Sequence, residues 1–243
     1  MSSPIELIAY TDNPMLAELF PIQEAVYNMP AYYKTMPITY TKDMPAEVPN
    51  SLDKMSTARR CIGINNFNMA GFVLPLWSDY SLLMHPNGNI SSVGAGQSKT
   101  EVHSPNQGRG LLDDYHVVKL ISPWAIRCNQ DVKFMFAPNF YAEHSTDWTI
   151  SPAIVDYYNQ TTSNIFVFVP KKQEPKEIFL NAGMLLIRIV PLTERKVNFK
   201  IEVVDDLSKV VVRPPDFFFS NTIYKLMRRR KDNEKRCPFG GDK

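Results

Sequence analysis

The sequence predicts an all-β chain built as a sandwich, jelly roll or small barrel, and three observations carry that reading. Short β-branched or aromatic runs recur from Tyr115 onward, each bounded by Pro, Asn, Gly or Asp. Nineteen prolines among 243 residues leave little room for long helices. Apolar residues make up 44% of the chain and aromatics 12%, enough to bury a sizeable core with β propensity.

Taken in order, "IELIAY" at 5–10 alternates as a strand does. Prolines 21, 30, 37, 45 and 49 then hold any helix to about two turns, so residues 1–55 read as an extended arm with short strand and helix pieces. Its Tyr27, Tyr32, Tyr33 and Tyr40 are expected to pack on the domain surface or to bind a neighbouring subunit.

The core is expected over 56–214. "RCIGINNFNMAGFVLPLWSDYSLLM" (60–84) reads as strand, turn and strand, with Gly71 where the backbone needs freedom or close approach. Residues 85–111 hold five of the ten glycines and read as an exposed, mobile loop or insertion. Strands follow at "YHVVKLISPWAIRC", "VKFMFAP", "TISPAIVD", "NIFVFVP", "KEIFL", "GMLLIRIVPL", "VNFKIEVV" and "KVVVRP". In 215–243, Phe219, Ile223, Tyr224 and Met227 fall at helical spacing and predict a short amphipathic helix ahead of a basic tail.

A net charge of +2 is too small to imply a nucleic-acid or membrane partner for the whole molecule. It is unevenly placed: residues 225–243 carry eight basic and three acidic side chains, a balance of +5, which leaves −3 for the rest. That tail could seat on an acidic surface or neutralise phosphates, but it lacks the interleaved aromatics that stack on bases. Cys61, Cys128 and Cys237 are odd in number and far apart, which fits neither a disulfide framework nor a zinc ribbon and points to a reducing compartment. No basic segment precedes an apolar run at the start, and no stretch reaches eighteen apolar residues, so a cytoplasmic protein, or a particle assembled in cytoplasm, is expected.

The motifs of catalysis are sparse. "VGAGQSKT" (93–100) approaches a phosphate loop, yet Val93 and Ser98 stand where glycines must let the backbone curl around phosphate. His85, His103, His116 and His144 show no metal-ligand spacing, and no serine or cysteine sits in a nucleophile setting, so no metal or cofactor is expected. Asp156 ends an apolar run ahead of a polar turn. Its chemistry permits a general base or a turn starter.

The order of "RRCIGINNFNMAGFVLPLWSDYSL", "ISPWAIR", "FMFAPNF", "PAIVDYY" and "AGMLLIRIVPLTER", with "MPAYYKTMP" in the arm, resembles uncharacterised proteins of tailed bacteriophages, notably T4-like phages of marine bacteria. The motifs are also similar, more remotely, to the trimeric dUTP pyrophosphatases. "MAGFVLP" (69–75), "FAPNF" (136–140), "AIVDYY" (153–158) and "GMLLIRI" (183–189) stand where those enzymes carry four motifs of a jelly roll. This likeness implies a dUTPase-like sandwich in which Asp156 matches the water-positioning aspartate, and Asn139 and Arg188 fall at ligand-contacting positions. The chain departs from that pattern: Val73 replaces a metal-site aspartate, Ala137-Pro138-Asn139 replaces Arg-Ser-Ser, Arg188 replaces a glutamine, and the glycine-rich C-terminal motif is absent.

The resemblance therefore implies a bacteriophage structural or virion-associated protein, such as a decoration, neck or tail-attached component. Its partners would be phage proteins or copies of itself, located in the virion or host cytoplasm. The alternative is a nucleotide-binding or degenerate dUTPase-like protein, and a third possibility is an early phage protein that inhibits a host factor. Asp156 is expected to start its turn rather than to catalyse. An oligomer is expected from the dUTPase-like core.

Overall fold

The computed structural model describes residues 3–41, 54–96, 98–104, 113–138, 147–171 and 174–212. Among these, two sheets enclose one core. The larger runs in the order β11 (Thr149–Ile150), β13 (Thr162–Pro170), β9 (Tyr115–Cys128), β1 (Ile5–Thr11) and β16 (Val197–Val203), with β8 (Thr100–Val102) also pairing β9. The second runs β12 (Ala153–Val155), β10 (Phe134–Pro138), β15 (Leu185–Pro191), β5 (Phe72–Pro75) and β2 (Gln23–Glu24). β14 (Lys176–Leu180), β6 (Tyr80–Met84) and β7 (Ile90–Gly94) form a third sheet, and β3 (Thr39–Thr41) pairs β4 (Lys54–Ser56). The β1–β16 pair is parallel. The chain is a β-rich sandwich.

The alternation written in the sequence decides what faces inward. β1 buries Ile5, Leu7 and Ala9, and β13 buries Ile165, Val167 and Val169, each skipping one residue as the pleat requires. Opposite them lie Phe72 and Leu74 of β5, Phe134 and Phe136 of β10, and Ile187 and Ile189 of β15, all in the same cluster. Phe72 and Phe199 close the contact across it, ring centroids 4.8 Å apart.

Several expectations need correction. β1, inside the segment read as an arm, is an interior strand of the larger sheet, and β2 pairs β5, so the boundary at residue 55 does not separate an arm from the core. Residues 62–69 form a helix, α3 (Ile62–Met69), where a strand was expected. The glycine-rich stretch 85–111 contains β7 and β8, both paired in antiparallel ladders. "TISPAIVD" is two strands in different sheets, because Pro152 cannot donate to a ladder and the chain crosses from one sheet to the other there. "KVVVRP" (209–214) does not begin a strand: Lys209 ends a 3-10 turn, Leu207–Lys209, capped by the Asp206 carboxylate, which accepts from Ser208 N at 3.0 Å, and Val211 and Val212 lie outside any strand. The expected C-terminal helix and basic tail lie outside the described residues.

Two further helices precede α3: α1 (Pro14–Leu19) and α2 (Ala31–Thr35). α1 starts where Asn13 Oδ1 accepts from Leu16 N and Pro14 occupies the first helical position. No described helix is long and apolar enough to cross a membrane.

Candidate functional site

Asp156 follows β12 directly and is buried. Its Oδ1 accepts from Tyr158 N at 3.2 Å, and its Oδ2 accepts from Asn159 Nδ2 at 2.9 Å and from Lys133 Nζ at 2.6 Å. Its carbonyl accepts from Asn159 N and Gln160 N. This is the geometry of an Asx turn reinforced by an ion pair, with the carboxylate committed to holding the link between β12 and β13. Lys133 also bonds Asp131 at 2.5 Å, so the pair sits in a small charged cluster at the sandwich edge.

That geometry sets a prediction. Asp156→Asn keeps an acceptor for the turn amide but discharges the partner of Lys133, and should cost about 1 kcal/mol. Asp156→Ala removes every side-chain acceptor and should cost about 2–3 kcal/mol. Urea unfolding midpoints check the order, and equal losses would contradict the turn role.

Arg188 stands elsewhere. On β15 it faces Ala137 of β10 on one side and Val73 of β5 on the other, toward the end of β10 opposite to the Phe134–Val155 pair that precedes Asp156. Val73, Ala137 and Arg188, each within a stretch aligned with a pyrophosphatase motif, are thus adjacent, but as a closed layer. Val73, Ala137 and Arg188 are all buried. Arg188 Nη1 donates to the carbonyl of Asn68 at 3.0 Å, Nη2 reaches Asn68 Oδ1 at 3.4 Å, and the guanidinium lies 5.0 Å from the centroid of Phe67. Burial pulls its pKa down to about 10, which still leaves it charged at neutral pH. Asp156 and Arg188 are not brought together, and Asn139, like His144, lies outside the described residues.

His85 Nε2 lies 2.9 Å from Ser91 Oγ, and His103 meets the Phe166 ring edge-on. Burial lowers the pKa of both His103 and His116. Among the described residues no cluster of His, Cys, Asp or Glu could hold a metal. Burial, the larger effect, pushes the Cys128 thiol up, the condition of an inert core cysteine.

Two features of the folded surface were not legible as sites. The first is a cleft of about 850 Å³ bordered by α1, Trp77, β8 and the middle of β9. Its origin is local. Along one edge, β9 pairs β8 up to Leu120 and β1 from Ala125, leaving 121–124 between them. Along the other edge Asn164 faces Ile121 and Thr162 faces Ala125, so Ser122, Pro123 and Trp124 stand against the single residue Ser163. Pro123 cannot donate to the ladder and Ser122 Oγ accepts from Trp124 N at 3.2 Å, which holds the bulge. The proline inside "ISPWAIR" was the available signal.

The second feature is a small layer formed by the 3-10 turn Ala25–Asn28, α2 and α3. Tyr33 is its inner anchor, almost fully buried, with its hydroxyl 2.7 Å from Asn65 Oδ1. Arg59 Nη1 donates to Met36 O at 2.9 Å and ties the following segment down. Outward, Val26, Tyr27, Tyr32, Ile38, Ile62 and Met69 are exposed, Tyr27 at 72% and Ile62 at 75%. Of the four tyrosines singled out from the sequence, Tyr33 therefore packs inward while Tyr27 and Tyr32 face out; the Tyr40 side chain lies outside the described residues.

No protein-family model matches the chain, and neither a curated protein nor a solved structure matches it.

Proposed function

We propose that this chain is a structural or virion-associated protein of a tailed bacteriophage, a decoration, neck or tail-attached component that works by protein–protein contact. The supporting observation is the set of apolar side chains exposed on the layer of residues 25–38 and 58–69. Six large apolar side chains, two of them tyrosines, are exposed there on elements that Tyr33 and Arg59 lock in place. Tyrosine and methionine are enriched at interfaces, and a rigid apolar face loses little conformational entropy when it is covered. Its occupants are phage proteins or further copies of the chain, in the virion or the host cytoplasm. Through the balance of +5 in residues 225–243, the basic tail adds electrostatic contact with an acidic surface or with nucleic acid.

Mass spectrometry of purified, salt-washed virions from a phage carrying this gene tests the reading. The chain should be retained at stoichiometric level, and Tyr27→Ser with Ile62→Ser should release it without altering the unfolding midpoint of the isolated protein. Absence from the particle overturns the proposal. The nucleotide-handling alternative is separated by a thermal-shift screen with dUTP and Mg²⁺: a ligand at a hundred times its dissociation constant adds about 2.7 kcal/mol. No shift at millimolar dUTP, and no hydrolysis, is the expected result.

A further inference from the structure

We infer that the cleft at the β9 bulge binds an uncharged, polyhydroxylated ligand of the oligosaccharide class. Its volume of about 850 Å³ lies within the range of about 300–1,000 Å³ typical of small-ligand sites. It is lined from six separate stretches of chain, so its shape depends on the sandwich rather than on one loop.

The lining has two characters. Met15, Leu19, Phe20 and the edge of Trp77 contribute apolar and aromatic surface, while Asp12, Lys99, Glu101, Lys119, Ser122 and Asn164 contribute polar groups. The charged members number two of each sign, and Lys119 already pairs Glu101 at 2.7 Å. A nucleoside triphosphate needs a surplus of cations against its phosphates, and this lining offers none. A purely apolar ligand would strip water from six polar side chains without replacing their hydrogen bonds. A sugar ring carries an apolar C–H face and a rim of hydroxyls, each both donor and acceptor, which matches both characters at once.

A buried donor favours the same ligand. The indole N–H of Trp124, which lines the cleft, has no hydrogen-bond acceptor among the described residues, whereas that of Trp77 faces the Tyr80 hydroxyl. Trp124 is 1% exposed, and a buried donor without an acceptor is costly. Hydroxyl oxygens, reached directly or through a bound water, are the acceptors that a saccharide supplies.

The test uses the full-length chain on an array of neutral and anionic oligosaccharides of two to six units, followed by titration calorimetry with the strongest binder. Binding confined to neutral oligosaccharides is expected. Asn164→Ala, at an exposed rim position, should weaken it about tenfold, and Trp124→Phe, which keeps an aromatic ring and removes the N–H, by a similar factor. Parallel unfolding midpoints identify folded variants, and Asn164→Ala carries the test if Trp124→Phe does not fold. No binding at millimolar oligosaccharide, binding unchanged in the folded variants, or preference for dUTP or an amphipathic peptide overturns the inference. The cleft shares no residue with the layer of residues 25–38 and 58–69, so this outcome is independent of the particle assay.

Discussion

Gly71→Ala should destabilise the protein by about 3–4 kcal/mol, near the upper end of single-residue effects. Gly71 has φ +68°, a left-handed conformation that costs an L-residue about 1–2 kcal/mol. A Cβ built there would lie 2.2 Å from Ile189 O and 2.9 Å from Val190 Cα, both backbone atoms of β15 inside the smaller sheet. Neither can retreat without breaking the pairing of β15 with β5 and β10. The neighbourhood leaves no slack, because Gly71 O also accepts from Ala25 N at 2.9 Å. Urea denaturation should show a large fall in midpoint with an unchanged slope, whereas Gly88→Ala, at a left-handed turn with open space around it, should lose only the conformational part. Equal losses at the two glycines would mean that the close approach at Gly71 does not matter.

Gly71 was legible because its signal is local: a glycine between two apolar runs, with no turn partner beside it. β9 and β14 were legible for the same reason, since β-branched runs bounded by breakers state their own limits, and the structure reproduces Tyr115–Cys128 and Lys176–Leu180 at those limits. α3 was not. "CIGINNFNM" alternates Ile62 and Ile64 and carries three asparagines, a poor helix by propensity. Long-range partners stabilise it instead: Tyr33 on Asn65, and Arg188 on Asn68 from 120 residues away. The cleft was hidden for a related reason. Its bulge has a readable cause in Pro123, but its walls come from residues near 15, 77, 100, 120, 163 and 207, and only pairing in three dimensions sets them around one space. Asp156 lies between these cases. Its turn could be read from Asp156 and Asn159, but its partner Lys133 is 23 residues distant and changes the expected cost of substitution.

Arg188→Ala should cost about 3–4 kcal/mol, through three losses that the buried geometry makes simultaneous. The Asn68 carbonyl lies in the last turn of α3, where no intrahelical donor remains, and Arg188 Nη1 supplies one together with a positive charge suited to that end of the helix. The stack over Phe67 is desolvated, a setting in which a cation–π contact reaches about 2 kcal/mol. Deleting the side chain also opens a cavity beside Val73 and Ala137. Relief from burying a charge offsets part of these losses, which is why the total stays below their sum. Arg188→Met fills most of the volume and removes the charge, so its loss should be smaller, about 1–2 kcal/mol from the orphaned Asn68 acceptors. Arg188→Lys keeps the charge but not the planar fork that reaches both Asn68 oxygens, and should fall between the two. The order Met, Lys, Ala in unfolding midpoint marks an internal strut. A residue at a phosphate-contacting position behaves differently: Arg188→Ala would leave the midpoint nearly unchanged and abolish a dUTP-dependent thermal shift. The Asn68 bonds and the buried position at the centre of β15 set the expectation on the first pattern, with dUTP producing no shift in the parent chain.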